Sequence, residues 1–392
     1  MLTDDLKTYL NFLRPAVLRL SYASADEISL EDTVLIPVFF KAYEQSQAEL
    51  LYTWFLEQGL KLPKSLEEQL KLSYDHALHR ELLMNTERER IFGFMDEHQI
   101  LHCPLKGILI QPLYPAVGTR YASDNDILVD PEQCDEIKKF MTARGYKFLG
   151  GTGKHDGYLK NPSYHFEMHK TLMDEIEEER EAAAYLNEIW PRLRRVDPAR
   201  CLFEMTPEDF YIHLLAHALH HYNSRGTGLR YIVDVYYYLQ SFGSLMDQEM
   251  LSELLKKLRL DEFEQILRSL SEKLFSKEAL AMEFTAKEEK VLEYMFRAGS
   301  HGNDRLQAKN RIKSFRYKSR TKVGRRWEYI MKRAFPEADW WKTYHPFLYK
   351  YKLLIPFYAV YRLGKGVLFS EYGREEIRQV FSGGKETNDR DH

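Results

Sequence analysis

The sequence predicts an α+β fold in which a short sheet-forming region is set between helical units, and three observations carry that prediction. Over residues 6–99 apolar residues recur at three and four, as in Leu50, Leu51, Trp54 and Phe55, then Leu82, Leu83, Ile91 and Phe92. Residues 101–172 change character, with short apolar runs, Gly107, Gly118, Gly145, Gly150, Gly151, Gly153 and Gly157, and two segments that read as strands. After the acidic stretch Asp174-Glu175-Ile176-Glu177-Glu178-Glu179, a solvated helix face, helical periodicity returns as far as Arg297.

At 392 residues the chain exceeds one ordinary core, so two or three packed units are expected. Hydrophobic residues at 44% and charged residues at 29% give the balance of a soluble globular protein rather than a disordered or membrane-spanning one. The net charge of -3 gives no global bias toward nucleic acid, so any basic contact surface is local. Cys103, Cys134 and Cys201 are far apart with no C-x-x-C spacing, which argues against a disulfide framework or a cysteine zinc site. The acidic N-terminus lacks a secretory pattern, and residues 353–360, interrupted by Pro356, fall short of the roughly 20 residues of a spanning helix. A cytoplasmic protein without a transmembrane segment is expected.

The helical N-terminal segment is punctuated by Pro63. Beyond it, Asp124-Asn125-Asp126 runs directly into Ile127-Leu128-Val129, which reads as a buried strand. Side chains on a strand alternate faces, so Asp124 and Asp126 point the same way, their Cα atoms roughly 6.7 Å apart. Two such carboxylates repel unless one takes a proton or a divalent cation lies between them. The alternative is a solvated strand entrance. In Tyr164-His165-Phe166-Glu167-Met168-His169 the apolar residues alternate with polar ones, so one face is core and the other offers Glu167 as a third carboxylate, metal ligand or base. His165 and His169 as zinc ligands compete with that reading but lack an obvious third partner, and a half-exposed edge strand is the plainer alternative.

Upstream, Leu105-Lys106-Gly107 follows a short strand and opens a helix that Pro112 cuts short. Gly107 lets backbone amides approach an anion, and Lys106 adds a cation suited to phosphate. Arg120 is a second phosphate candidate or an ion-pair partner for the aspartates.

The order Lys106-Gly107, Tyr114-Pro115, Arg120, Asp124-x-Asp126 and Glu167-x-His169 resembles the uncharacterised nucleotidyltransferase family of the polymerase-β-like superfamily. The resemblance continues through the His-rich segment Phe210 to His221 and through Leu229-Arg230-Tyr231-Ile232-Val233-Asp234-Val235, then to Phe335-Pro336, His345-Pro346-Phe347 and Ile355-Pro356-Phe357. It implies a polymerase-β-like core, a small mixed sheet with flanking helices, plus helical N- and C-terminal units. It also implies two Mg²⁺ or Mn²⁺ ions on Asp124, Asp126 and Glu167, with an NTP such as ATP steadied by Lys106, Gly107 and Arg120. The sequence departs from the superfamily's pattern at Lys106, at Asn125 and at Glu167. Asn125 points into the core, where an unpaired amide is costly, so it requires a hydrogen-bond partner.

His213, His217 and His220 share one helix face, and Arg230 and Asp234 share another. With His169, the residues His213, His217, Arg230 and Asp234 are candidates to line the cleft, with structural histidines as the alternative. The zinc-peptidase pattern His-Glu-x-x-His is absent.

Lys309, Arg311, Lys313, Arg316, Lys318, Arg320, Lys322, Arg325 and Arg326 form a basic run without an acid, suited to RNA phosphates, an anionic membrane surface or the chain's own acidic stretch. The aromatic-rich segment after it reads as a docked helical arm, with a membrane interface as the alternative.

The expected units are a helical unit at 1–90, a catalytic core at 91–195, a helical domain at 196–300, a basic and aromatic arm at 301–382 and a disordered tail at 383–392. The expected activity is metal-dependent transfer of a nucleoside monophosphate from an NTP to a hydroxyl acceptor. The alternative is a catalytically silent module that binds nucleotide or RNA.

Overall fold

The computed structural model describes residues 2–22, 29–151, 153–161, 164–174, 176, 179–276, 283–315, 321–336, 341 and 345–382. It divides into two compact units, one made of residues 1–220 and 228–300, the other of residues 221–227 and 301–392. The segments before residue 91, from 91 to 195 and from 196 to 300 therefore contribute mainly to one body. Glu175, Glu177, Glu178, Arg316, Lys318, Arg320, Trp340, Tyr344 and the tail 383–392 lie outside the described residues.

In the first unit, helices Asp4–Leu18, Asp32–Glu44 and Ala48–Glu57 pack through buried rings, with Phe12 and Phe55 stacked at 6.1 Å between centroids. Helix Lys64–Glu97 starts immediately after Pro63, whose fixed φ and missing N–H suit a helix entry. Its apolar face, Met84, Ile91, Phe92 and Met95, covers one side of the sheet. Its buried Glu87 accepts from Arg144 Nη2 at 2.8 Å, which pins the helix to the segment leading into the sheet's hairpin.

The sheet has five strands, β1 (His102–Pro104), β2 (Asn125–Val129), β3 (Lys147–Gly151), β4 (His155–Lys160) and β5 (Tyr164–His169), in the order β1-β2-β5-β4-β3. Strands β2 and β5 run parallel, and every other pair is antiparallel. The apolar run 127–129 and the alternation at 164–169 mark β2 and β5 in the sequence. The hairpin of β3 and β4 is hidden there by its glycines. Gly150 takes φ +115° at a register shift between Phe148 and Gly150, a conformation that a side chain rarely tolerates. Ile127, Val129, Tyr158, Phe166 and Met168 enter the core with Ile137 and Met141 of helix Cys134–Ala143. The opposite face is left for polar side chains.

The second unit contains helices Asp304–Ser314, Lys322–Ala334, Pro346–Lys350, Ile355–Phe369 and Glu371–Ser382. The last packs against Asp304–Ser314 and Ile355–Phe369, and Ile355–Phe369 meets Lys322–Ala334. The aromatics of this unit divide between buried and exposed positions. Tyr329 and Trp341 are buried, whereas Trp327, Phe347, Tyr351, Phe357 and Tyr361 are exposed.

Candidate active site

Parallel pairing of β2 with β5 sets Asp126 opposite Glu167. Because directly paired residues share a face, both carboxylates stand on the side away from the apolar core. Asp124, half-buried just ahead of β2, joins them through the same alternation and lies with His165 and Glu167. From β4, Gly157 pairs with Glu167 and adds no side chain there, while His155 pairs with His169 and brings its Nε2 to 3.7 Å from Glu167 Oε2.

Positive groups hold this negative cluster. Lys106 Nζ lies 2.8 Å from Asp126 Oδ2, and His169 Nε2 lies 3.0 Å from Asp126 Oδ1 and 3.4 Å from Glu167 Oε2. Burial alone would raise Asp126, but Lys106 and His169 hold its carboxyl well below the usual carboxylate range. Burial also opposes ionisation of Glu167, yet the hydrogen bond from His169 lowers it. His169 responds in the opposite sense: burial favours its neutral form, and the two carboxylates raise it. Asp124 receives weaker support, from the charges of Lys106 and His165. Burial and the adjacent Asp126 push its carboxyl up to about 6.

Lys106 reaches Asp126 from a backbone with φ 44° and ψ -113°, a region that favours glycine, so strain is stored at this residue. The helix it opens is the single turn Gly107–Ile110, ended by a 3-10 turn containing Pro112. A Cβ on Gly107 would meet Arg120 Nη1 at 3.1 Å. Arg120 does not pair with the site aspartates. Its Nε and Nη2 donate to the two oxygens of fully buried Asp234 at 2.7 and 2.8 Å, and Tyr114 also donates to Asp234.

Asn125 has the partner it requires, since Arg88 Nη1 donates to its Oδ1 at 2.8 Å. Arg88 and Arg80 lie eight residues apart on helix Lys64–Glu97, and Arg80 Nη1 donates to Tyr121 at 2.9 Å. Sequence reasoning missed both supports, although their spacing of about two turns places them on one face.

The His-rich helix Pro207–Asn223 divides its roles. His213 is fully buried, neither ring nitrogen has a hydrogen-bond partner among the described residues, and burial with the charges of Lys106 and His169 lowers it to about 3. His217 lies 2.7 Å from the Tyr231 hydroxyl, and His220 lies 2.9 Å from Glu179. Arg230 donates to the Tyr121 carbonyl at 3.2 Å. Arg230 and Asp234 share a face, but it is turned to the 114–121 segment; Asp234, at 0% exposure, lines no cleft.

Two donor sets share Glu167: Asp124, His165 and Glu167, and His155, Glu167 and His169, each with its ligand atoms within 4.8 Å. Carboxylate oxygens with imidazole nitrogens fit a divalent cation, the oxygens suiting Mg²⁺ or Mn²⁺ and the imidazoles favouring Mn²⁺ or Zn²⁺. His165 and His169 fall in different sets because four residues of strand, roughly 13 Å, separate them. His155, on the hairpin that the glycines conceal, was not anticipated, and Asp126 belongs to neither set, its two oxygens facing Lys106 and His169.

Residues 42–276, more than half of the chain, match the family model described as "Uncharacterised nucleotidyltransferase". No curated protein and no solved structure matches the chain.

Proposed function

We propose, from the premise that this chain belongs to the uncharacterised nucleotidyltransferase family, that it transfers a nucleoside monophosphate from an NTP to a hydroxyl group on a small molecule or protein. The acceptor oxygen attacks the α-phosphorus, the bond to the β-phosphate oxygen breaks, and pyrophosphate leaves. The observation that carries this reading is the convergence of Asp124, Asp126 and Glu167 on one face of the small mixed sheet, with Lys106 beside them.

Asp124 and Glu167, with His165 or with His155 and His169, would hold one or two divalent cations, Mg²⁺ or Mn²⁺, and Asp126 adds the third negative charge. When bound, such ions neutralise the charge of a triphosphate and of its displacement. Lys106 exchanges Asp126 for a phosphate oxygen, and Gly107, lacking a side chain, admits the phosphate beside Arg120 Nη1. Attack requires the hydroxyl proton to leave. Glu167 is the carboxylate that would take it.

The test is incubation of the purified protein with each α-labelled NTP, Mg²⁺ or Mn²⁺ and a metabolite extract. Labelled acceptor and released pyrophosphate are expected. The reading fails if neither NTP nor metal binds, or if Asp124→Asn with Asp126→Asn leaves transfer unchanged.

A second reading, a module that binds nucleotide or RNA without turnover, draws support from the same site, where Lys106 and His169 already neutralise Asp126. In the sequence it is motivated by the basic run at 309–326 and by Asn125, and Asn125 is paired with Arg88. Calorimetry separates the two readings: salt-sensitive RNA binding without metal dependence favours the module, and NTP binding that requires a divalent cation favours the enzyme.

A further inference from the structure

Two helices of the second unit leave a stripe of large apolar side chains exposed. On Lys322–Ala334 the inward side carries Arg333, whose Nε and Nη2 donate to Glu376 at 2.9 and 3.1 Å, and Tyr329, whose hydroxyl donates to Glu376 at 2.6 Å. The outward side carries Val323, Trp327 and Met331, spaced by four and exposed, Trp327 at 65%. Helix Ile355–Phe369 repeats the arrangement. Arg362 points inward and donates to the carbonyls of Arg333 and Ala334, and Tyr358 lies 3.1 Å from His345 Nε2. Leu353, Phe357, Val360 and Leu368 share the outer face, with Leu353 at 90% and Phe357 at 77% exposure. Since these two helices meet, the stripes belong to one small unit. A monomer in water gains nothing from an exposed apolar stripe of this extent.

Charge identifies what covers this face. Residues 341–370 contain five Lys or Arg and no Asp or Glu, and Lys350, Lys352 and Lys365 are exposed around the apolar stripe. A second copy of the chain would bring like charges together. RNA would use the cations but not Leu353 or Val360. An anionic lipid surface uses both, with apolar side chains in the acyl boundary and lysines among the headgroups. No helix among the described residues is long and apolar enough to cross a membrane, which fits helices lying in the plane of the bilayer.

We propose that the face formed by helices Lys322–Ala334 and Ile355–Phe369 docks the protein on an anionic phospholipid bilayer. Its outcome is independent of the transfer reaction. The test is flotation of the full chain with phosphatidylcholine vesicles, with and without phosphatidylglycerol. The protein is expected to float with the anionic vesicles and, less well, as salt rises. Phe357→Glu with Val360→Glu should weaken binding about tenfold or more while circular dichroism and melting stay unchanged, because both side chains face outward. Lys350→Glu with Lys352→Glu should reduce the preference for anionic lipid. The proposal is overturned if the chain stays unbound, or if it floats equally well with both apolar residues replaced. It is also overturned if, without vesicle binding, the chain binds a single-stranded RNA oligonucleotide, or forms a dimer in sedimentation that Phe357→Glu dissolves.

Discussion

Arg88 Nη1 donates to Asn125 Oδ1 across 2.8 Å, joining the long helix Lys64–Glu97 to the first residue of β2. A polar residue between two aspartates thus ties the carboxylate strand to its covering helix. Replacing Asn125 with Leu removes the acceptor and leaves a half-buried guanidinium unmatched, which should cost about 1–3 kcal/mol. Asn125→Asp restores an acceptor with charge and should recover most of that loss. Thermal melting of the two variants checks both statements.

Asp124 makes the folded state sensitive to pH. Its carboxyl is raised to about 6, so the folded chain holds a proton that the unfolded chain has already released. Stability therefore declines as pH rises from about 4 to about 6 and levels off above, at a cost of about 1–3 kcal/mol. Asp124→Asn should melt higher than the parent at pH 7 and match it below about pH 4. Added Mn²⁺ should raise the melting temperature of the parent and not that of the variant.

Lys106 and Asp126 should behave as a coupled pair. Lys106→Met leaves Asp126 buried with His169 alone, and a loss of about 3 kcal/mol is expected. Adding Asp126→Asn should return much of it, which a double-mutant cycle in urea would read as a large coupling energy. Transfer activity should be absent in all three variants, so stability and activity separate in the double one.

Arg120 offers a similar separation. Asp234→Ala strands a buried guanidinium and should cost about 3–5 kcal/mol. Replacing the pair together, as Arg120→Met with Asp234→Leu, should keep the fold. NTP affinity should then fall about tenfold, the worth of one charge-assisted hydrogen bond from Nη1 to phosphate. Calorimetry with a non-hydrolysable NTP measures it.

Strand alternation made the carboxylates legible. The apolar run 127–129 and the period two of 164–169 assigned the two strands, and strand geometry, which depends only on nearest neighbours, gave the face shared by Asp124, Asp126 and Glu167. Partners from distant elements were not legible. Nothing near Asp126 in the chain announces that His169 and Lys106 close on its two oxygens, or that Asp234 claims Arg120 from 114 residues away. His155 was lost because Gly150, Gly151, Gly153 and Gly157 read as loop, although they serve a bulged hairpin. In the C-terminal segment the aromatic spacing was visible but its direction was not. Periodicity finds a helix face without saying whether protein, water or lipid lies against it.

Because β2 and β5 are parallel neighbours, the chain between them must travel back along the sheet, and it does so through a helix and a hairpin. That detour is the tolerant part of the design. Its loops can lengthen without disturbing the reacting groups, whereas a single residue inserted within β5 would swap Glu167 for Phe166 on the acidic face. New acceptor pockets can therefore be grafted into the connections between these elements by insertion, while β2, β5 and β4, which carries His155, admit substitution only.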